Sequence, residues 1–417
     1  MSLRRPSALL VPLLAIALAV VGATPARAQV LGPVQGLPNV QVPGVGLPRV
    51  IPATPLRSVD DLLRGSLALT RKLQIDALRR SEPRRVDVDP HGAPILRGEF
   101  LAMGLSDAQR DAVRALGFSV DRATPADATL GLDFVVLHDS RHRSTARAMR
   151  ALQRAAPDAT FTYQHLYLPA GHGDLARTAS SATPSSGAAA RRVGLVDGGV
   201  DPTDPALART HIERHGCSTP NPSRHGTAVA ARLVDGDPDT LYAADLWCGD
   251  AVGGATSNLV DALAWMARER VAVINISLVG PDNPVLARAV QAMIARGHVL
   301  LSAVGNDGPA APPLFPAAYP DVIGVSGVDA HDRVLPEAGS GDQVDFCASG
   351  VVGSGSGSDA LRGTSFAAPI VARKAAGLLD APREGAAAQV QQHLAGEARD
   401  LGRPGRDPRY GDGLLSP

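Results

Sequence analysis

Four short apolar runs constrain this chain most: Val193 to Val196, Ala272 to Leu278, Val299 to Val304 and Val322 to Val328. A strand with one wet face alternates apolar and polar residues, whereas a strand buried on both faces reads as a continuous apolar run. Between these runs stand helical patterns. Asn258 to Arg268 carries Leu259, Leu263 and Met266 at helical spacing, and Pro284 to Arg296 carries Leu286, Val290 and Met293, with Gly297 as a stop. Strands of this kind alternating with helices predict a parallel, doubly wound sheet covered on both faces. With 417 residues, 45% of them hydrophobic, the chain has the apolar material for such a core. Sheets of this class hold their ligands beyond the carboxyl ends of the strands.

Several motifs fall where that rule wants them. Asp197 ends the first run in Val-Asp-Gly-Gly. His225 opens a helix in His-Gly-Thr-Ala-Val-Ala, and Ser365 opens another in Gly363-Thr364-Ser365-Phe366-Ala367-Ala368-Pro369. A serine hydroxyl is a weak nucleophile near neutral pH. It needs a base within hydrogen-bond reach, and the base needs an orienting partner. Asp, His and Ser fill those roles. Gly226 and Gly363 allow close backbone approach, and Pro369 falls in the first helical turn, where a missing N–H is tolerated. The Ser365 N–H, at a helix start, is free to face developing negative charge. The third run ends in Ser302-Ala303-Val304-Gly305-Asn306, whose terminal amide is a second donor for that charge. Taken singly, each is ordinary: Asp197 a turn residue, His225 a helix cap, Ser365 an N-cap. Their joint order and context separate them from that background.

In that order, Asp, His, Asn and Ser resemble the subtilisin-like (subtilase) serine proteases, over roughly Val193 to Leu379. The chymotrypsin order differs, and the Gly-x-Ser-x-Gly elbow is absent at Ser365. The resemblance implies an α/β, subtilisin-like three-layer fold with a mostly parallel doubly wound sheet. It implies Asp197, His225 and Ser365 as a catalytic triad and Asn306 as the oxyanion donor. It also implies a substrate-binding strand at Ser277, Leu278 and Val279, with Gly305 on the opposite wall of the primary specificity pocket. Leu314 and Phe315 near its base suggest an apolar preference. Two positions depart from the family: Gly198 replaces the usual Ser or Thr after the aspartate, and Ala228 replaces a His found in the best-known members. The expected activity is that of a serine endopeptidase acting on proteins or peptides through an acyl-enzyme on Ser365. The alternative is a non-catalytic peptide-binding or secretion-partner module on the same fold. Peptide ligation shares the acyl-enzyme step and is not separated from hydrolysis by the motifs.

Upstream, Ile95 to Ala170 reads as a domain of its own in the order β-α-β-β-α-β, a ferredoxin-like α+β arrangement. Ser106 and Gln109 stand at capping-box spacing, Gly117 stops that helix, and Pro157 lies just beyond a second one. It has two readings: an independent binding module or, as in the resembled family, a propeptide of this order that assists folding and then blocks the cleft in cis. The expected divisions are 1–28 a signal peptide, 29–57 a Pro/Gly-rich linker, 58–92 a helical segment starting from a Ser58 cap and 93–170 the propeptide-like domain. A linker at 171–190, the peptidase domain at 191–400 and a C-terminal tail at 401–417 complete the division.

Arg4 and Arg5, the apolar run Ala8 to Val21 and the small-x-small site Ala26-Arg27-Ala28 form an export signal. The run is short of the roughly 20 residues a membrane-spanning helix needs. No stable span is expected after cleavage, and the mature chain is expected in the periplasm or the medium. Cys217, Cys248 and Cys347 leave one thiol over if a pair bridges, and Cys217 with Cys248 is the favoured but open choice. Lys plus Arg equals Asp plus Glu at 41 each, so no broad nucleic-acid-binding face is expected. No metal site or organic cofactor is expected. Asp235, Asp237 and Asp239 alternate on a turn and are the candidate calcium ligands. His138 with His142, and His211 with His215, stand four apart without further ligands and read as surface residues.

Overall fold

The computed structural model describes residues 71–121, 129–170, 191–237, 239–353 and 361–417. The expected signal at 1–28, the Ser58 cap and the linkers at 29–57 and 171–190 lie outside the described residues. Helix α1 covers 71–81. It is followed by β1 (Val86–Val88), β2 (Pro94–Met103), α2 (Asp107–Ala115), β3 (Phe118–Asp121), β4 (Phe134–Asp139), α3 (Thr145–Ala155) and β5 (Thr160–His165). The helix α2 starts where the capping box predicts: Gln109 N–H donates to Ser106 Oγ at 3.3 Å, and Ser106 N–H donates to Gln109 Oε1 at 2.9 Å. Gly117, at φ +86°, turns the chain out of it.

β2 pairs antiparallel with β1, β4 and β5, and β3 pairs with β4. Successive side chains of β2 point to opposite faces. Phe100 and Ala102 face α2 and α3, in a core with Val113, Phe118, Val135, Leu137, Met149 and Leu152. Leu101, with Phe134, faces the other way and joins the core of the C-terminal half. The expected order is thus present from Pro94 onward, with one addition. Val86–Val88, expected in the helical segment 58–92, is a strand of this sheet. Three residues are too few for periodicity to mark, and the pairing with Pro94–Leu96 defines the strand.

The C-terminal half contains β6 (Leu168–Pro169), β7 (Arg192–Asp197), β8 (His211–His215), α4 (Arg224–Val234), β9 (Thr240–Asp245), α5 (Thr256–Arg268), β10 (Val273–Ile276) and β11 (Leu278–Val279). Then follow α6 (Pro284–Ala295), β12 (Val299–Ala303), β13 (Ile323–Val328), β14 (Phe346–Ser349), β15 (Val351–Val352), β16 (Leu361–Arg362), α7 (Ala368–Ala376) and α8 (Ala386–Glu397). Seven strands form one parallel sheet in the order β14-β13-β12-β10-β7-β9-β8. Leu195, Leu301 and Val325 face a cluster with Val229 and Leu233 of α4, Val371 of α7 and Val390 of α8. Val196, Ile274 and Leu300 face Leu259, Leu263 and Met266 of α5 and Leu286, Val290 and Met293 of α6. Both helix faces are those the spacing predicts.

Residues 401–417, expected as a tail, close the sheet edge instead. Cys347 N–H donates to Gly413 O and Leu415 N–H to Cys347 O, each at 2.9 Å, and Leu415 is buried. Exposed backbone at β14 is what this return satisfies. No helix among the described residues is long and apolar enough to cross a membrane.

Candidate active site

From β7 the chain continues toward β8 on one side, and from its neighbour β10 toward β12 on the other, so a crevice opens at their carboxyl ends. Asp197 ends that strand, fully buried. Its Oδ1 accepts from the Gly198 N–H at 2.6 Å and lies 2.9 Å from His225 Nδ1. A buried carboxylate at Nδ1 places the ring proton there and leaves Nε2 as the basic nitrogen. Asp197 Oδ2 has no hydrogen-bond partner among the described residues, in keeping with the missing hydroxyl at Gly198. A Cβ at Gly198 would stand 2.6 Å from Ser223 Oγ, so that serine fills the space. Ser223 caps α4 by accepting from Gly226 N–H at 2.9 Å, which sets His225 in the first turn. A Cβ at Gly226 would meet the Gly198 carbonyl oxygen at 2.3 Å, so only glycine lets α4 approach β7 this closely.

Ser365 sits in a 3-10 turn, Thr364–Phe366, that leads into α7. Its hydroxyl donates to the Ser277 carbonyl at 3.4 Å, and His225 Nε2 carries no partner among the described residues. The aspartate–histidine link is therefore made, and the histidine–serine link is open.

The space in front of Ser365 is filled by the chain itself. β6 pairs antiparallel with β11, with Pro169 opposite Leu278 and Leu168 opposite Val279. On the other side Leu166 bridges Ala255, and Tyr167 N–H donates to Gly254 O at 2.7 Å. Ala170 N–H donates to Ser277 O at 3.1 Å. Its carbonyl oxygen accepts from the Ser365 N–H at 3.2 Å and from Asn306 Nδ2. The Asn306 amide is oriented by its other end, since Oδ1 accepts from Thr364 N–H at 3.0 Å. The Ala170 side chain is buried against the cluster that holds Val279, with Leu314 packed beside it. Leu314 Cδ1 lies 2.6 Å from where a Cβ at Gly305 would stand, so the leucine closes the pocket in front of that glycine.

A model of the subtilase family matches residues 189–413. This chain belongs to the subtilase family. It is 27% identical over 246 residues to the Minor extracellular protease Epr of Bacillus subtilis (strain 168), covering 54% of this chain and 37% of that protein. It is 32% identical over 210 residues to Subtilisin DY of Bacillus licheniformis, covering 46% of this chain and 75% of that one. Among solved structures, fervidolysin from Fervidobacterium pennivorans, described as a keratinolytic enzyme related to subtilisin, superposes at a TM-score of 0.62 with 18% identity. That match covers 79% of this chain and 61% of the other, and shows the common fold. The subtilase chain here spans 37% and 64% of the first two curated relatives it matches.

Around this subtilase site the remaining sequence candidates fall as follows. Ser277, Leu278, Val279 and Gly305 all line the occupied cleft. The opposite wall, Gly254 and Ala255, escaped sequence reasoning, although the Gly253-Gly254 pair before α5 signals a close backbone approach. Thr364 escaped it too. Cys217 and Cys248 form a disulfide joining the turns after β8 and β9, and Cys347 is free and buried. Burial pushes the Cys347 thiol up to about 12. Asp245 stands in register with Asp197 across the β7–β9 pair. Burial raises its carboxyl above the ordinary range, against the N–H donations of Cys248 and Trp247, and the Asp197 charge adds to the rise. The three alternating aspartates bind guanidinium groups: Asp237 pairs with Arg191 and Arg373, Asp239 with Arg191, and Asp235 with Arg373. His138 lies 2.8 Å from Asp121, His211 lies 2.8 Å from Glu213, and His215 lies 2.8 Å from Asp261, stacked on Trp265.

Proposed function

We propose that this subtilase is an exported serine endopeptidase, made as an inactive precursor that cuts its own Ala170–Gly171 bond. The observation that carries the proposal is the Ala170 carbonyl, which accepts from both Asn306 Nδ2 and the Ser365 N–H. Two donors aimed at one carbonyl oxygen are what stabilise the tetrahedral oxyanion of acyl transfer. Leu168 to Ala170 lie as a strand against Ser277 to Val279, the way an extended peptide adds to a sheet edge.

The reaction then runs on this chain's own groups. The Ser365 hydroxyl turns from the Ser277 carbonyl to His225 Nε2 and gives it the proton while Oγ attacks the Ala170 carbonyl carbon. Asp197 holds the resulting imidazolium through Nδ1. As the C–N bond breaks, Nε2 returns the proton to the Gly171 nitrogen. Water then repeats the attack and frees Ser365. Residues 93–170 act as a propeptide, with β1 as part of the same unit. After cleavage the strand pairs of residues 166–169 remain, so the released carboxylate end keeps the cleft filled. Arg85 donating twice to Asp250, at 2.8 and 2.5 Å, and Gln164 donating to Ser257 at 2.8 Å orient the segment there. The shallow pocket over Leu314 favours a small residue before the cleaved bond in substrates as well. The basic start, apolar run and Ala-Arg-Ala site support export, and the Cys217–Cys248 disulfide supports an oxidising destination.

The open link between His225 Nε2 and Ser365 Oγ is the one observation on the side of a peptide-binding module. A fluorophosphonate separates the two readings, because it reacts only with an activated serine. The proposal expects labelling and casein cleavage by the processed wild-type protein once it is separated from its released N-terminal part, and neither by Ser365→Ala. Absence of both from the wild type would leave the binding module as the reading.

A further inference from the structure

The cleft holds one side chain more completely than its neighbours. Tyr167, four residues before the proposed cleavage point, is 0% exposed. Two glycines make its slot. A Cβ at Gly280 would stand 2.5 Å from the tyrosine ring, and a Cβ at Gly254 would stand 2.2 Å from its carbonyl oxygen. Neither glycine has a positive φ, so what they provide is room for the tyrosine and not an unusual backbone.

The floor of the slot is polar. The Tyr167 hydroxyl donates to the Pro281 carbonyl at 2.8 Å. Beside it stands the Tyr319 phenol, which donates to Asp282 Oδ1 at 3.0 Å and accepts from the Asn283 N–H at 3.0 Å. Tyr319 thereby fixes the turn 281–283 that presents the Pro281 carbonyl. Burial, with Tyr319 and Asp282 beside it, holds the Tyr167 phenol protonated well above its ordinary range. A purely apolar slot accepts phenylalanine and tyrosine alike. A slot with an acceptor at its floor leaves that acceptor unpaired when the hydroxyl is missing.

We infer that this cleft selects substrates with tyrosine four residues before the cleaved bond, reading its hydroxyl through the Pro281 carbonyl, with Tyr319 as the positioning residue. The inference rests on the proposed function, in which residues 166–170 occupy the cleft as a substrate does. The substrate class is then an extended peptide with tyrosine at that position and a small residue at the cleaved bond.

The test uses protein made as the full chain, self-processed and then separated from its released N-terminal part, with an equimolar mixture of three peptides copying residues 163–176. They carry Tyr, Phe or Ala at the position of Tyr167, and mass spectrometry follows their cleavage. The tyrosine peptide is expected to be cut about tenfold faster than the phenylalanine peptide, roughly the value of one hydrogen bond. The alanine peptide should be slowest. In Tyr319→Phe the tyrosine-to-phenylalanine ratio should fall to about two, whereas a merely structural role for Tyr319 would slow both peptides alike. Equal rates for the tyrosine and phenylalanine peptides, with casein still cut, overturn the hydroxyl reading and leave the endopeptidase standing. If wild type cuts neither casein nor any peptide and takes no fluorophosphonate, both readings fall.

Discussion

At Asn306 a single amide is used at both ends. Its Oδ1 is fixed by the Thr364 N–H, so its Nδ2 has one direction left, toward the Ala170 carbonyl. In the proposed mechanism, Asn306→Ala removes a donor that works mainly on the developing oxyanion. Turnover of a peptide substrate should fall by roughly 100- to 1,000-fold, the magnitude known for this donor in subtilisin, with little change in KM. An equal rise in KM with kcat unchanged would assign Asn306 to ground-state binding. Gly198 illustrates a different kind of residue effect. The family's usual hydroxyl after the aspartate is absent, and the space is taken by Ser223, which serves the backbone of α4. That these motif residues meet at one site was legible in the sequence, because the acyl transfer proposed for them restricts both the residue types and the glycines beside them. The direction of the Ser365 hydroxyl was not, since a rotor settles on whichever acceptor is nearest, here the Ser277 carbonyl.

At the scale of elements, the cleft is a gap between two strand edges, Gly254–Ala255 and β11, and residues 166–169 fill it. The three nearest atoms to a Cβ at Gly280 all belong to Tyr167. Gly280→Ala should therefore spare the peptidase fold and impede the seating of the chain's own segment. Self-cleavage should slow by at least tenfold while the thermal midpoint of the processed form stays within about 2 °C of wild type, as for substitutions that disturb no core contact. An unchanged cleavage rate would show that Tyr167 is not held there during processing. The elements that sequence reasoning reached were those with strong periodicity or continuous apolar runs, such as β7, β12, α5 and α6. It missed β8, where Ile212 is the one apolar residue of His211–His215 and the other four positions are polar. Edge strands have little burial to write into sequence. The Gly254 wall was missed for a related reason: its contribution is backbone N–H and C=O, which no residue type announces.

Over the whole molecule, two cores meet. Leu101 and Phe134 of the N-terminal sheet share a cluster with α5 and α6, so the sheet and the peptidase half bury apolar surface together. The Arg85–Asp250 pair, more than two-fifths exposed on both sides, contributes orientation more than stability. The Cys217–Cys248 bridge closes a loop of sequence separation 31 that contains α4 and the whole of β9. In chain-entropy terms, its removal should cost about 4 kcal/mol. Cys217→Ser in the Ser365→Ala background should therefore lower the urea midpoint measurably, and an unchanged midpoint would show that the peptidase half does not depend on the bridge. The central claim is that Ser365 cuts the bond its own cleft already holds. Following intact mass and the new N-terminus of the purified precursor over time tests it most directly. The account predicts a wild-type fragment beginning at Gly171 and an uncut Ser365→Ala chain. A wild-type fragment beginning elsewhere, or the same fragment from Ser365→Ala, would contradict it.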